Sequence, residues 1–139
     1  MHDQFQPNCV DFGNFRLGYG PVVSRCFPNL KYIDEKYVAS LRFSTPGANV
    51  GIVLTSTQLE IWRDCFELIA AHGGVSIQTL PIMRPKREDE HLDVITYINE
   101  LSFTSGTMVI SISLDDCLKD FISYLNEIYC KLDELENKW

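Results

Sequence analysis

The stretch "NVGIVLTSTQLEIW", Asn49 to Trp62, places a strand directly before a helix. Its first half is a short, largely apolar run of the kind found in strands. Thr55 and Gln58 then stand three residues apart, which is the spacing of a capping box. In that motif the threonine hydroxyl accepts from an N–H of the first helical turn, and the glutamine side chain accepts from the threonine N–H. The stretch therefore predicts a strand-to-helix junction at Thr55.

The helix after this junction is predicted to end at His72-Gly73-Gly74, because paired glycines stop a helix. Its apolar residues recur at helical spacing and define a buried stripe. The stripe consists of Leu59, Trp62, Cys65, Phe66 and Ile69.

The residues before the junction predict an antiparallel sheet. In "KYVASLRFS", one face would carry Tyr37, Ala39, Leu41 and Phe43, and the other would carry Val38, Ser40 and Arg42, which is the period of a strand. The stretch "TPGAN" supplies a turn. Further upstream, "NFRLGYG" and "VVSRCF" indicate a bent strand pair interrupted by glycine and proline. Residues 1–13 show little periodicity and are predicted to form an N-terminal arm.

The second half of the chain repeats this order more loosely. "VSIQTL", "HLDVITYINELSFTSG" and "TMVISIS" predict strands, and residues 81–90 predict a polar loop. Ser113 and Asp116 have the form of a weaker capping box for a second helix. Its predicted apolar stripe consists of Leu118, Phe121, Leu125, Ile128, Leu132 and Leu135.

The two halves can be aligned as an internal repeat. Leu41 and Phe43 match Leu101 and Phe103, and a turn shortened by two residues brings Ile52, Leu54 and Thr55 opposite Ile110, Ile112 and Ser113. Chance similarity between two strand-turn-strand-helix segments is the alternative. A duplication predicts an α+β fold of two units, 14–74 and 75–139. Each unit is a curved antiparallel β-sheet followed by an α-helix, and the two pack as an intramolecular pseudo-dimer within one compact domain.

Composition bounds the class of protein. The 139 residues have the length of one domain, no apolar run reaches the ~20 residues of a membrane span, and the first residues do not resemble a signal peptide, so we expect an intracellular protein. The five cysteines show no zinc or disulfide spacing. The net charge of −7 is divided unevenly. Residues 1–87 hold nine Lys/Arg against seven Asp/Glu, and residues 88–139 hold three against twelve. A polyanion is expected to meet the first half.

Residues 31–62, "KYIDEKYVASLRFSTPGANVGIVLTSTQLEIW", resemble the single-stranded DNA-binding domain of the transcriptional positive cofactor four family. In that family a lysine and an arginine six residues apart precede a proline-glycine turn. A glycine, an isoleucine, a leucine, a threonine or asparagine and a glutamine follow. The matching residues here are Lys36, Arg42, Pro46, Gly47, Gly51, Ile52, Leu54, Thr55 and Gln58.

The resemblance implies paired curved sheets whose grooves hold single-stranded or melted DNA, and a role in transcription or replication. It implies roles for Lys36 and Arg42, and Lys31 falls where the family tends to be basic. The chain departs from the family at Ala48-Asn49-Val50, where basic residues are usual, and at Leu59, where tryptophan is usual. In the second half, Thr96 and Ser102 fall at the positions of Lys36 and Arg42, so any binding is expected to be asymmetric.

Single-strand binding needs cations for phosphates and aromatic faces for bases. The predicted nucleic-acid-binding residues are Arg25, Lys31, Tyr32, Lys36, Arg42, Arg84, Lys86 and Arg87, with Arg16, Tyr19 and Phe27 as further candidates. For each aromatic residue, burial at a strand edge is the alternative. For the run Arg84 to Arg87, the alternative is an exposed patch offset by the three acidic residues that follow it.

No catalytic signature, phosphate loop, metal motif or cofactor motif occurs, so we expect no enzyme activity, no cofactor and no metal. The expected partner is single-stranded DNA or RNA, with transcription or replication proteins and homo-oligomerisation left open, and no membrane. A nuclear location follows if the chain is eukaryotic, or viral in a eukaryotic host. The alternative function is a protein-interaction or dimerisation scaffold that has an acidic C-terminal half and no longer binds nucleic acid. The two hypotheses differ in salt dependence, which is steep only for polyanion binding.

Overall fold

The computed structural model describes residues 8–24, 35–72, 78–83, 93–97 and 99–137. Within these residues the chain forms two antiparallel sheets and two helices, which is an α+β fold. The strands are β1 Asn8–Asp11, β2 Arg16–Val23, β3 Tyr37–Thr45, β4 Ala48–Leu54, β5 Gln78–Leu80, β6 Asp93–Tyr97, β7 Glu100–Ser105 and β8 Met108–Ser113. The helices are α1 Ser56–His72 and α2 Leu118–Glu136.

The first sheet has the order β1-β2-β3-β4, and every neighbouring pair is antiparallel. The predicted bent strand pair is one continuous strand, β2, which runs through Gly18, Gly20 and Pro21. Its edge partner β1 lies inside the segment 1–13 that the sequence indicated as an arm. The missing signal was cross-strand pairing, because a strand of four residues has too few positions to show alternation.

The second sheet has the order β5-β6-β7-β8 and is also antiparallel throughout. Tyr97 pairs with Glu100, so β6 and β7 are joined by a two-residue turn. By contrast, β2 and β3 are separated by residues 24–36. The two sheets therefore share strand order and differ most in the length of their central connection.

The register of the two hairpins corrects the sequence alignment. Both turns have two residues, Pro46-Gly47 and Gly106-Thr107, so the second turn is not shortened. Leu41 pairs with Ile52, and Leu101 pairs with Ile112. The alignment of Ile52 with Ile110 was therefore wrong by two residues, because apolar alternation with a period of two cannot distinguish registers that differ by two.

The start of α1 confirms the capping box. The Gln58 N–H donates to Thr55 Oγ1 and the Thr55 N–H donates to Gln58 Oε1, both at 3.1 Å. The second box is wrong: α2 begins at Leu118 after Cys117, whose side chain makes no capping hydrogen bond. Ser113 Oγ instead accepts weakly from the Asp115 N–H at 3.4 Å, one turn too early to cap α2.

One hydrophobic core joins both sheets and both helices. Phe43 of β3 and Phe103 of β7 lie with ring centroids 4.9 Å apart. Phe121 of α2 meets Phe43 at 6.4 Å and Phe66 of α1 at 5.2 Å. The rings of Phe43, Phe103, Phe66 and Phe121 are all at most 1% exposed. The second helix therefore packs against the first sheet as well as against the first helix.

Polar contacts also cross between the two halves. Trp62 Nε1 donates to the Pro81 carbonyl oxygen at 2.8 Å, and the Tyr37 N–H donates to Glu136 Oε1 at 2.8 Å. On the helix pair, Arg63 donates to Asn126 Oδ1 at 2.9 Å, and its guanidinium lies 5.4 Å from the centre of the Tyr129 ring. These contacts fix the helices against each other and direct the opposite faces of both sheets outward.

Candidate nucleic-acid interface

The face of the first sheet opposite the helices, called here the first outer face, is polar and rich in glycine. The burial pattern of β3 alternates, with Leu41 and Phe43 buried beneath the sheet and Arg42 exposed above it. Cross-strand pairing places Gly18 and Gly51 on either side of Arg42. The next row across the sheet consists of Arg16, Ser44 and Asn49.

Arg42 stands at the centre of this surface with little around it. Its Nη1 donates to Asn49 Oδ1 at 3.3 Å, a long contact that orients the guanidinium along β4. Neither flanking glycine has a side chain to cover it, and a Cβ added at Gly51 would come no closer than 3.8 Å to the Leu41 carbonyl oxygen. The glycines therefore leave the backbone and the guanidinium open to a ligand from the same side.

Arg16 is the second cation of the first outer face. It lies diagonally across β2 and β3 from Arg42, and such neighbours are about 7–8 Å apart. Its Nε lies 3.7 Å from Asp11 Oδ2, and both side chains are more than half exposed. A solvated pair at this distance contributes about 0–1 kcal/mol, so Arg16 can exchange the carboxylate for a phosphate at low cost.

Lys36 is exposed and immediately precedes β3, six residues before Arg42. The strand rise puts these two residues roughly 20 Å apart along one side of β3. The Lys36 carbonyl oxygen accepts from the Ser24 N–H at 2.8 Å, and Ser24 Oγ donates to the Glu35 carbonyl oxygen at 2.6 Å. Ser24 thus closes the base of the connection that carries Arg25, Lys31 and Tyr32, three predicted site residues that lie outside the described residues.

An apolar cluster separates Lys36 from Arg42. Val38 and Val53 are buried on the first outer face, with Val22 and Met83 packed against them. The Met83 N–H donates to the Val53 carbonyl oxygen at 2.9 Å, so the segment after β5 is attached to the edge of β4. The predicted basic residues Arg84, Lys86 and Arg87 follow Met83 in sequence and lie outside the described residues.

Tyr19 is not available to stack on a base, so this candidate was wrong. It is 2% exposed on the inner face of β2, and its hydroxyl has no hydrogen-bond partner among the described residues. Burial raises the pKa of Tyr19 to about 12. The described strand residues of the first outer face include no aromatic residue. Phe27, the other further candidate, lies outside the described residues.

The corresponding face of the second sheet, called here the second outer face, has a different charge. Its described strand residues include the acidic Asp93 and Glu100 and no lysine, arginine or histidine. Ser102, aligned with Arg42, shares a 3.1 Å hydrogen bond with Ser111 Oγ. Thr96 is not the counterpart of Lys36: it lies in β6, fully buried, and its hydroxyl donates to the Glu100 carbonyl oxygen.

A separate groove of 530 Å³ lies between β1 and the start of α2 and is acidic. Asp11, Asp116, Asp120 and Glu127 line it, together with apolar atoms of residues such as Phe12. Burial and the nearby Asp120 and Asp116 carboxylates raise the pKa of the Cys117 thiol here. The groove is unsuited to a polyanion, so the described surfaces favour the first outer face for phosphate contact.

Among the described residues, no group of three or more His, Cys, Asp or Glu side chains is arranged to hold a metal ion. No helix in the described part of the chain has both the length and the apolar character needed to span a membrane.

A comparison of the chain with protein-family models found no match, and a comparison with curated proteins found no significant match. The resemblance of residues 31–62 to the positive cofactor four family therefore stands on its motif residues alone. In the structure, residues 37–62 form β3, its turn, β4 and the capped start of α1.

Proposed function

We propose that this chain binds single-stranded nucleic acid through the first outer face, without strong sequence preference. The observation that carries this proposal is the position of Arg42, exposed between two glycines on the open side of a sheet whose other side is buried. Because its side chain is exposed on that side, Arg42 does not contribute to the core. A guanidinium in this position can donate two parallel hydrogen bonds to a phosphate.

The rows of side chains across the first sheet suggest how single-stranded nucleic acid would lie on it. Arg42 and Arg16 would contact neighbouring phosphates, while Ser44 and Asn49, which continue the row of Arg16 across β3 and β4, supply neutral donors. Gly18 and Gly51 would allow the sugar-phosphate backbone to approach the sheet closely. Because no described aromatic residue lies on this part of the face, phosphate contacts would dominate here. Such contacts position the ligand and carry no sequence information.

The predicted residues Arg25, Lys31, Tyr32, Arg84, Lys86 and Arg87 would extend this contact, and their assignment rests on the sequence. The described ends of both segments support it. Ser24 and Met83 lie at the same end of the first sheet, next to Val22, Val38 and Val53. Stacking of bases, worth roughly 1–3 kcal/mol each, would come from residues such as Tyr32.

We also infer that the two units arose by duplication and pack as an intramolecular pseudo-dimer. The identical strand order supports this inference, as do the two-residue hairpin turns in both sheets. With the corrected register, Leu41, Phe43, Ile52 and Leu54 correspond to the residues 60 positions later, Leu101, Phe103, Ile112 and Leu114. Among the described strand residues, only those of the first unit include cations on the outer face, so binding would be asymmetric. A role in transcription or replication is what the family resemblance implies.

A protein-interaction scaffold is the second candidate. It is favoured by Asp93 and Glu100 on the second outer face, whose described strand residues include no cation. On that hypothesis the fold is retained, and the first outer face has no ligand of its own. Salt separates the two functions, because a contact through several cations weakens steeply as salt rises and an apolar contact does not.

The test is fluorescence anisotropy of a labelled oligo-dT strand of ~20 nucleotides, titrated with the protein at several salt concentrations. The variant Arg16→Ala/Arg42→Ala removes the two arginines of the first outer face. The matched control, Lys119→Ala/Lys131→Ala, removes the same charge from α2. Oligo-U and duplex competitors identify the preferred class of nucleic acid.

We expect binding that weakens with salt, and a slope of log K against log salt that becomes shallower by roughly 0.7 for each lost phosphate contact. The control should keep the slope of the unsubstituted chain. Absence of binding at low salt would refute the proposal and favour the scaffold. Equal losses in both variants would show that net charge, rather than the first outer face, governs binding.

A further inference from the structure

Within the described residues, the outer edge of β8 is open except at its last residue, where the Ser113 carbonyl oxygen accepts from Asn14 Nδ2 at 3.1 Å. This strand is the last of the second sheet, and its only strand partner there is β7. At the corresponding edge of the first sheet, Met83 forms an antiparallel bridge to β4, with its N–H donating to the Val53 carbonyl oxygen. An edge strand presents a row of N–H and C=O groups that can pair with another strand.

The sequence of β8 lacks the features that usually protect an edge. "MVISIS" contains no charge, proline or glycine and is rich in β-branched residues. Met108 is 62% exposed and Val109 is 60% exposed, so side chains beside the edge are open to solvent. In natural proteins, lysine, proline or a bulge commonly prevents pairing at such an edge. Their absence is unexpected in a chain of which 22% is charged.

We propose that β8 pairs with β8 of a second copy of this chain, forming an antiparallel, two-fold symmetric extension of the second sheet. Antiparallel pairing of a strand with itself is compatible with a two-fold axis, in which both copies use the same surface. A pairing centred on β8 brings together two uncharged strands, so no like charges oppose each other between them. The pairing would use residues 108–112, which leaves the Asn14 contact of Ser113 in place, and Asp115 and Asp116 lie beyond it.

The charge distribution argues for a second copy rather than a basic or acidic partner. An uncharged edge gives no electrostatic preference for a charged peptide, whereas it lets two copies of a chain of net charge −7 meet without like charges directly opposed in the contact. The contact would be independent of the first outer face, which belongs to the other sheet. Each dimer would thus carry two nucleic-acid-binding faces.

The experiment is sedimentation equilibrium of the full chain over a range of concentrations. The variant Val109→Lys/Ser111→Lys adds two cations along the β8 edge, and they would oppose their copies across the axis. The matched control, Thr79→Lys/Gln78→Lys, adds the same charge to β5 at the other edge of the same sheet, where both residues are exposed. Circular dichroism of each variant verifies folding.

We expect a species of twice the 15.9 kDa chain mass, with a Kd at least roughly ten-fold weaker in the β8 variant and unchanged in the control. A chain that stays monomeric at all concentrations would overturn the proposal, as would a dimer weakened equally by both variants. Should the β8 variant misfold, hydrogen exchange of the unsubstituted chain decides. Protection of β8 amides must increase with protein concentration, and a concentration-independent rate would overturn the proposal.

Discussion

Phe43 and Phe103 meet between the two sheets, with ring centroids 4.9 Å apart and ring planes at 48°. The two residues occupy the same position in their own sheets, since each lies on the inner face of the third strand, three residues before the first residue of the hairpin turn. Neither ring is more than 1% exposed. The contact makes each sheet part of the other's core, so the two units are expected to unfold together.

Replacing Phe103 by alanine should destabilise the whole chain by about 3–5 kcal/mol, the range for truncating a buried phenylalanine. The measurement is urea unfolding in a Trp139→Phe background, so that fluorescence reports Trp62 of the first unit while circular dichroism reports both units. We expect both signals to shift together to lower urea, although the substitution is in the second unit.

The control is Met108→Ala, five residues away in the same hairpin. Because Met108 is 62% exposed, its loss should change stability by no more than about 0.5 kcal/mol. A Trp62 transition that stays in place in the Phe103→Ala variant would show that the first unit is independently stable.

The capping box at Thr55 and the uncapped start of α2 predict unequal effects of substitution at the two helix starts. Thr55→Ala should cost about 1 kcal/mol, since it leaves the Gln58 N–H without its hydroxyl acceptor at the start of α1. Ser113→Ala should cost at most about 0.5 kcal/mol, because Ser113 Oγ makes only two long contacts with Asp115, both at 3.4 Å, and does not cap α2. Urea midpoints of both variants decide this, and equal losses would contradict the difference in capping.

Tyr19 predicts a loss of stability at alkaline pH. Burial raises its pKa to about 12, whereas an unfolded tyrosine titrates near pH 10, so the folded chain holds this proton more tightly. The stability linked to this proton is complete below about pH 10 and is lost as the pH rises towards about 12. Tyr19→Phe should therefore narrow the difference in urea midpoint between about pH 8 and about pH 11.

The same variant should be about 1 kcal/mol more stable at neutral pH, because it removes a buried hydroxyl that has no partner. Tyr97→Phe is the control, since that ring is 44% exposed. Part of the alkaline sensitivity should persist in Tyr19→Phe, because burial also raises the pKa of Tyr124 to about 12. An unchanged pH dependence in Tyr19→Phe would show that its hydroxyl reaches water.

The first strand-to-helix junction was predictable from the sequence, whereas the start of α2 and the long-range pairings were not. The capping box at Thr55 and Gln58 depends on only four consecutive residues, so a short window of sequence was enough to predict it. The edge strand β1 and the long strand β2 depend on partners elsewhere in the chain, which a window of the sequence does not contain. Likewise, the inward direction of Tyr19 follows from its pairing with Leu41, a residue 22 positions away.

For the candidate interface, alternation alone placed Arg42 on the side opposite Leu41 and Phe43, and the structure agrees. The neighbours that open the surface around Arg42 come from other strands, so Gly18 was not recognised as part of it. The acidic character of the second outer face was visible in the charge of the second half. Its distribution over Asp93 and Glu100 required the register of β6 and β7.

Gly51 offers the sharpest test of where nucleic acid lies, because a side chain can be added there beside Arg42 without disturbing the core. Gly51 is exposed, and an added Cβ would make only an ordinary contact of 3.8 Å with the Leu41 carbonyl oxygen. Gly51→Lys and Gly51→Glu therefore change charge at one position with similar, small effects on folding. If phosphates pass over Arg42, the lysine variant should bind oligo-dT more tightly and with a salt slope steeper by roughly 0.7, and the glutamate variant more weakly.

Urea unfolding checks that both variants are folded, and anisotropy at several salt concentrations measures the slopes. A matched pair at Thr79, on the second sheet, should show a much smaller difference. If both Gly51 variants bind as tightly as the unsubstituted chain, the ligand lies elsewhere. If both lose the same amount of affinity, any side chain at this position blocks the close approach of the nucleic acid.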